Sequence, residues 1–475
     1  MLVESLSGIR GIFGTDLTED IVRRYAVAFA KRLIAQKTPS VVIGRDTRPS
    51  SEQMALWMRE ELFREGIKEV YDCGVAATGA MHIAVTAFKV GGGIVVTASH
   101  NEPEWNGIKF MRQDSALLYP EEAEQLIAQA HATSLASGPV DVSKTIDGSL
   151  RLVQEYALLV LRTIGEKARV NLAKYAGRIL VDANGGSIIP FIKPFIDQFM
   201  PLDLTLKGEK LGEFWRTVEP KAESLTPLVD MLEVGKESFA VAFDCDADRM
   251  EIVMPKTSAF AKLGTPFVSG QYVLGLVVKA VLSTWEEDEK PIVVTNCATS
   301  NLVQDIADEY GARLDEVDVG EINVVKRMQE LGSPVGGEGS SAGGIIPPMT
   351  GRDGLMTLAV IFRYLGETEK TLDEALVDLP RYTTLQAKVE IDPAKALKVR
   401  KELVAEMKKH CEHVRTFGSD GGVKCIPARR QFVTFRMSKT EAGVYRVIVD
   451  ARDQETAEKL LADGKQTLMR LAKKV

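Results

Sequence analysis

The chain has 475 residues, 45% hydrophobic and 26% charged, with a net charge of −7 and no block of like charges. That length exceeds what one core can serve and suggests about three or four domains. The acidic balance argues against nucleic acid and anionic membranes as partners, whereas a phosphorylated small molecule needs only a local cluster of Arg and Lys. The five cysteines (Cys73, Cys245, Cys297, Cys411, Cys425) are odd in number and form no C-x-x-C pair. Neither a disulfide framework nor a zinc site is therefore expected, and a reducing compartment fits. Met1-Leu2-Val3-Glu4 lacks the basic start and apolar core of a secretory leader. The most apolar stretch, Tyr272 to Leu282, is too short to span a bilayer. A cytoplasmic protein is expected.

In chain order, Gly8 to Gly14 reads as tight turns around Arg10. A helix is predicted from about Asp20 to Ala35, then a strand at Val41 to Gly44 that ends in Arg45-Asp46-Thr47-Arg48-Pro49-Ser50. A helix from Ser51 to Glu65 stops at Gly66, and Val70 to Cys73 forms the next strand. This alternation predicts a largely parallel sheet covered by helices. Gly91-Gly92-Gly93 then leads into Ile94-Val95-Val96, a short apolar run that reads as a buried strand. Ser99 follows just past its carboxyl end, where open α/β sheets bind ligands, although a serine there can also cap a helix.

Ser149 to Arg169 reads as one long boundary helix, after which the pattern restarts. Strands at Arg178 to Val181 and Phe239 to Phe243 follow, the second running into Asp244-Cys245-Asp246-Ala247-Asp248-Arg249. A third restart has a helix at Ser269 to Ser283, a strand at Pro291 to Thr295 and a helix at Asn301 to Glu309. It continues into Gly336-Gly337-Glu338-Gly339-Ser340 and a helix at Leu355 to Tyr364. Three units of similar size thus each deliver a polar loop after an apolar strand, an internal structural repeat. Leu379 to Tyr382 links to a smaller α+β unit. Its helix is expected over Pro393 to His410, with strands near Gln431 to Met437 and Tyr445 to Asp450. A last helix, capped by Asp453, has Ala457, Leu460, Leu461, Leu468 and Leu471 on one face.

Asp244, Asp246 and Asp248 alternate along a loop; carboxylates this close repel and call for a cation between them. Arg249 and Pro255 stand where an EF-hand needs glycine and glutamate, so that motif is ruled out. A few hard oxygen ligands suit Mg²⁺. Ser99 as hydroxyl nucleophile, the carboxylates as metal site and Arg10, Lys109 and Arg249 as phosphate-facing cations are the parts of phosphoryl transfer. A phosphorylated Ser99 would present an oxygen to the same metal. For Arg10 and Lys109 a solvated surface position is an equal alternative.

Thr97-Ala98-Ser99-His100-Asn101 with Asn106-Gly107-Ile108-Lys109 resembles the phosphoserine loop of the α-D-phosphohexomutases, and Asp244 to Arg249 is similar to their metal loop. Gly337 to Ser340 lies where that family has its sugar loop, Gly351-Arg352-Asp353-Gly354 also fits, and Arg436 to Glu441 resembles its phosphate-binding loop. The resemblance spans the whole chain. It implies three similar mixed-sheet α/β domains and a smaller α+β domain around a central cleft. The expected divisions are 1–148 (phosphoserine), 149–262 (metal-binding), 263–379 (sugar-binding) and 380–475 (phosphate-binding). It further implies an isomerase of carbohydrate metabolism. Ser99, phosphorylated in the resting enzyme, gives its phosphoryl group to a hexose phosphate and regains one from a hexose 1,6-bisphosphate. Glucose and mannose phosphates are favoured, with glucosamine phosphate close behind. By the same resemblance Glu338 and Ser340 hold sugar hydroxyls, and Arg436, Ser438, Lys439 and Thr440 line the site of the unreacting phosphate. The expected assembly is a monomer or homodimer.

Departures from the family pattern are Ala342 where a His is common, Lys439 for a glycine, Ala442 for a proline and Cys245 for a glycine or proline. Cys245 reads as a buried small side chain. An alternative reading is a phosphatase with Asp244 as nucleophile and Asp246 as acid/base, which leaves Ser99 idle. Another is a non-catalytic sugar-phosphate sensor, supported only by Ala342 and Lys439.

Overall fold

The computed structural model describes residues 2–5, 8–192, 202–340, 342–438 and 443–475. Backbone contacts divide the chain into two compact units, Met1–Ser269 with Ala342–Val377, and Gly270–Ser341 with Asp378–Val475.

The first unit holds two mixed sheets. In the first sheet the strands are β1 (Val3–Ser5), β2 (Gly8–Ile12), β3 (Ser40–Arg45), β4 (Glu69–Val75), β5 (Gly92–Val96), β6 (Trp105–Met111) and β7 (Ile146–Asp147), in the order β1-β2-β6-β5-β3-β4-β7. The expected parallel half is present, with β3 between β5 and β4. The other half is antiparallel, β5 pairing with β6 and β6 with β2. Gly8 to Ile12 is therefore a strand and not a string of turns, because its backbone groups find partners on β6. The glycine run before Ile94 serves close packing. A Cβ at Gly92 would stand 2.7 Å from the Met111 carbonyl oxygen, and one at Gly93 2.8 Å from Val85 Cγ2.

The second sheet comprises β8 (Arg178–Asp182), β9 (Asp203–Lys207), β10 (Phe239–Phe243), β11 (Met250–Val253) and β12 (Phe267–Val268), ordered β12-β11-β10-β8-β9. All five residues of β10 are buried, which explains its unbroken apolar run. Since β12 pairs with β11, this sheet runs past residue 262. The expected single helix at Ser149 to Arg169 is two helices, Ser149–Ile164 and Glu166–Ala176, broken at Gly165 with φ +78°. On both lies the helix Gly354–Thr368, which follows β16 (Gly344–Ile345) and brings residues 342–377 into this unit.

The second unit contains a parallel arrangement of β14 (Arg313–Val317), β13 (Ile292–Asn296) and β15 (Val335–Gly337), β13 in the middle. It also contains an antiparallel sheet of β17 (Thr383–Glu390), β18 (His413–Thr416), β19 (Val423–Ile426), β20 (Phe432–Met437) and β21 (Val444–Ala451), ordered β17-β21-β20-β19-β18. Asp450 on β21 joins the two. Its Oδ1 accepts from the backbone N–H and Nδ2 of Asn301 (2.9 and 2.8 Å), and its Oδ2 from Thr384 Oγ1 (2.8 Å). The last helix, Gln454–Lys474, is capped by Asp453, and its Ala457, Leu468 and Leu471 are buried against the sheet.

One expectation from the cysteines fails. Cys411, which ends the helix Ala396–His410, and Cys425 on β19 form a disulfide, with Cα atoms 5.8 Å apart. The helix packs on the sheet at that point, a proximity that a spacing of 14 residues does not signal. Among the described residues no helix is long and apolar enough to cross a membrane.

Candidate active site

In the first unit the loops after β5 and β10 meet. Ser99 sits three residues beyond β5, is 1% exposed and has φ +54°, a left-handed conformation that costs a serine energy and is found at functional sites. Its backbone N–H donates to Thr97 Oγ1 (2.9 Å). The loop is held from below by Arg48, whose Nη2 donates to the carbonyl oxygens of Ser99 (2.9 Å) and Asn101. Arg48 is itself paired with buried Asp46, which also accepts from Ser51 Oγ (2.6 Å). Arg48 and Asp46 stand at the end of β3, the parallel neighbour of β5, which explains the polar run seen there in the sequence.

Ser99 Oγ donates to Asp244 Oδ2 at 3.2 Å. Asp244, Asp246 and Asp248 follow β10, are all buried, and offer carboxylate oxygens within 4.8 Å of one another. Asp246 Oδ1 and Asp248 Oδ1 are buried without a hydrogen-bond partner, as befits atoms that await a cation. Burial first, then the charges of Asp248 and Asp246, pushes the Asp244 carboxyl well above the usual carboxylate range. Asp248 is held below that range in spite of its burial, because Lys109, Arg352 and Arg249 surround it. A hard divalent cation would resolve this concentration of negative charge.

Lys109 lies on β6 opposite Val95, and its Nζ donates to Asp246 Oδ2 (2.7 Å) and Asp248 Oδ2 (3.0 Å). The alternative of a solvated lysine fails, for Lys109 is 5% exposed. Arg10 on β2 is half-buried, and its Nη1 donates to Asn101 Oδ1 (3.2 Å). Arg249 pairs with Glu219 (3.1 Å) and donates its backbone N–H to Asp244 Oδ1 (3.2 Å). Cys245 is buried as expected, with Sγ 3.6 Å from Thr47 Oγ1.

The sequence reading passed over three contributors. His100 Nδ1 stands 3.4 Å from Ser99 Oγ, and burial with Arg249 and Arg10 pushes the imidazole down to about 2. It is therefore held neutral and resists protonation. Arg352 approaches Asp248 Oδ2 at 3.7 Å. Thr78 donates to Asp246. His100 and Arg352 lay in the motifs Thr97 to Asn101 and Gly351 to Gly354 without an assigned role, and nothing in the sequence signalled Thr78. Ala342, at the family's usual histidine, is fully buried, and its carbonyl oxygen accepts from the Met250 N–H (3.1 Å).

In the second unit Glu338 is buried after β15, and its Oε1 accepts from Asn296 Nδ2 (2.6 Å) and the Gly320 N–H (2.8 Å). Ser340 is exposed. Arg436 on β20 lies directly across from Arg446 on β21, and its Nε is buried without a hydrogen-bond partner. Burial and then Arg446 lower the Arg436 guanidinium from its ordinary value, while Glu338 and Asp318 oppose this. Ser438 follows β20 and is half-buried; Lys439 and Thr440 lie outside the described residues.

A buried serine beside three carboxylates, with cations on adjoining strands, is a set of groups suited to phosphoryl transfer. Residues 4–137 match the family model of phosphoglucomutase/phosphomannomutase alpha/beta/alpha domain I, and residues 269–382 that of domain III. The chain is 29% identical to a phosphoglucomutase/phosphomannomutase of Thermococcus kodakarensis, with 96% of each chain covered. It is 27% identical to a probable phosphoglucosamine mutase of Pyrococcus horikoshii, over 96% of this chain and 95% of the other. Among solved structures, a putative phosphomannomutase from Thermus thermophilus superimposes with a TM-score of 0.79 at 23% identity, covering 99% of this chain and 100% of that one. Parafusin, a phosphoglucomutase from Paramecium, gives 0.77 at 17% identity over 99% and 94%. The chain belongs to the α-D-phosphohexomutase family. It is an enzyme, a sugar-phosphate mutase of the isomerase class that works by phosphotransfer.

Proposed function

We propose that this enzyme interconverts hexose 6-phosphate and hexose 1-phosphate through a phosphoserine at Ser99 and a hexose 1,6-bisphosphate. The observation that carries the reading is the 3.2 Å contact of Ser99 Oγ with Asp244 in the buried carboxylate group. Phosphorylated Ser99 transfers its phosphoryl group to a free sugar hydroxyl, so that the Oγ–P bond breaks, a sugar O–P bond forms and the hydroxyl proton ends on Ser99 Oγ. After the bisphosphate turns round, Ser99 Oγ attacks its other phosphorus, the sugar O–P bond there breaks, and the proton lost by Ser99 Oγ is returned to the sugar oxygen that leaves. Lys109, Arg249 and Arg10 offset the negative charge of the transferring group.

Asp244, Asp246, Asp248 and Ser99 would hold Mg²⁺, for their oxygens are hard donors and two of the buried ones lack partners. Bound there, the cation supplies charge neutralisation of the phosphoryl oxygens. Glu338 and Ser340 contact sugar hydroxyls, and Arg436, Ser438, Lys439 and Thr440 the distal phosphate. The chain divides into four functional domains, at 1–148, 149–262, 263–379 and 380–475, with β12 (Phe267–Val268) adding to the sheet of the second. Glucose or mannose phosphate is the favoured substrate and glucosamine phosphate the next, and comparing turnover on the three decides among them.

Intact-mass measurement of active protein is expected to show one phosphoryl group, mapped to Ser99. Ser99→Ala is expected to lose turnover by a factor on the order of a thousand or more. Near-normal turnover of Ser99→Ala would exclude the phosphoserine route.

A further inference from the structure

Thr78 is the first residue of the helix Thr78–Ala87, which follows β4, and it is 3% exposed. Its two hydrogen-bond donors go to one residue. The Oγ1 hydroxyl donates to Asp246 Oδ2 at 2.6 Å, and the backbone N–H donates to the Asp246 carbonyl oxygen at 2.9 Å. Lys109 Nζ reaches the same Oδ2 at 2.7 Å. That oxygen therefore has two donors, while Asp246 Oδ1, equally buried, has none. A carboxylate with one oxygen doubly hydrogen-bonded is fixed in rotation about its Cβ–Cγ bond. The remaining oxygen is then held in a set direction, in a residue whose carboxylate lies within 4.8 Å of oxygens of Asp244 and Asp248.

We infer that Thr78 is a positioning residue for the cation site. It turns Asp246 so that Oδ1 and not Oδ2 is offered to the divalent ion, and it ties the loop after β10 to the start of the helix after β4. Hydrogen bonds of this kind, from a neighbour to a ligating carboxylate, typically change metal affinity 10- to 100-fold. The backbone N–H alone cannot do this work, since it holds the Asp246 main chain and leaves the carboxylate free to rotate. Lys109 alone is a poor orienter, because its ammonium also bonds Asp248 Oδ2 at 3.0 Å and can follow either carboxylate. The hydroxyl of a β-branched residue at a helix start has little freedom of its own. The inference rests on the reading of Asp244, Asp246 and Asp248 as a cation site.

Free Mn²⁺ measured by electron paramagnetic resonance, in a titration of the full-length, substrate-free protein, reads the affinity without any turnover. Thr78→Val keeps the branched shape and removes the donor; it is expected to weaken Mn²⁺ binding about 10- to 100-fold. Thr78→Ser restores the donor and is expected to bind within about threefold of the wild type. That rescue separates orientation from a bulk structural role, since serine lacks the methyl that packs and keeps the hydroxyl that orients. Thr78→Ala, measured alongside, removes the hydroxyl with no new methyl and covers a folding failure of the valine variant. Wild type that binds Mn²⁺ together with valine and alanine variants that bind within twofold of it would overturn the role of Thr78. Wild type that binds no Mn²⁺ would overturn the cation reading, and this inference with it.

Discussion

At the scale of single residues, the proposed nucleophile Ser99 depends on a buried ion pair at the end of β3. Arg48 and Asp46 are both fully buried at the side chain, and Arg48 spends its second amino group on the carbonyls of Ser99 and Asn101. A clamp on these two carbonyls stabilises the left-handed turn that aims Ser99 at Asp244. Removing one member of such a pair strands the other charge out of water, at about 3–5 kcal/mol. Arg48→Met is thus expected to destabilise the fold by about that amount in urea unfolding. Adding Asp46→Asn should recover part of the loss, because the stranded carboxylate is then gone. Equal stability of the double and single variants would show that the pair's charge is not what holds the loop.

At the scale of elements, the helix Gly354–Thr368 shows how one capping residue can link several segments. Asp353 caps it by accepting from the Met356 N–H (3.0 Å), and it accepts from Tyr156 Oη at 2.6 and 2.7 Å. The next residue, Gly354, donates its N–H to the carbonyl oxygen of Ala247 in the aspartate loop (3.0 Å). Gly366 lets the helix approach closely, for a Cβ there would meet the Ala168 backbone at 2.4–2.8 Å from its nearest atoms. Burial pushes the Asp353 carboxyl from 3.8 up to about 6. The folded state therefore holds this proton more tightly than the unfolded chain does. Its contribution to stability is complete below about pH 4 and is lost as pH rises through 6. Relative to Asp353→Asn, which caps but does not titrate, the wild type should lose about 2 kcal/mol between pH 4 and 7. Unfolding free energies of both proteins across that range check the sign, and a wild-type advantage that grew with pH would reverse it.

At the scale of the whole molecule, each unit carries a different part of the proposed chemistry. The first holds the serine and the aspartates; the second holds Glu338 and the adjacent guanidinium groups of Arg436 and Arg446. Two arginines side by side on neighbouring strands, the Nε of Arg436 buried without a hydrogen-bond partner, are costly without an anion. A mutase presents a phosphate at either end of its substrate in turn, so a distal phosphate site must serve both substrates. Arg436→Ala is expected to lower kcat/KM for the 1-phosphate and the 6-phosphate alike, by roughly 2–4 kcal/mol, the range for truncating one partner of a desolvated charge pair. A loss confined to one substrate would assign Arg436 to one half of the reaction, and no loss would remove it from the phosphate site.

Most helices and central strands were legible in the chain because they depend on local pattern. The apolar run Phe239–Phe243 reads as a fully buried strand, and Asp453 reads as a cap, from neighbours a few residues away. The residue types that follow the strands, Ser99 and the alternating aspartates, were legible for the same reason. The edge and antiparallel strands were not, since Gly8–Ile12 is a strand only because β6 completes its hydrogen bonds. Nor could local pattern show that residues 145 and 168 positions apart, Ser99 with Asp244 and Thr78 with Asp246, would touch. The same holds for Cys411 with Cys425, and for the return of residues 342–377 to the first unit. Sequence by itself determined which groups stand at the ends of which strands. Only the tertiary structure decided which ends meet, because that follows from the packing of helices and the closure of sheets over distances that no periodicity of 2 or 3.6 residues records.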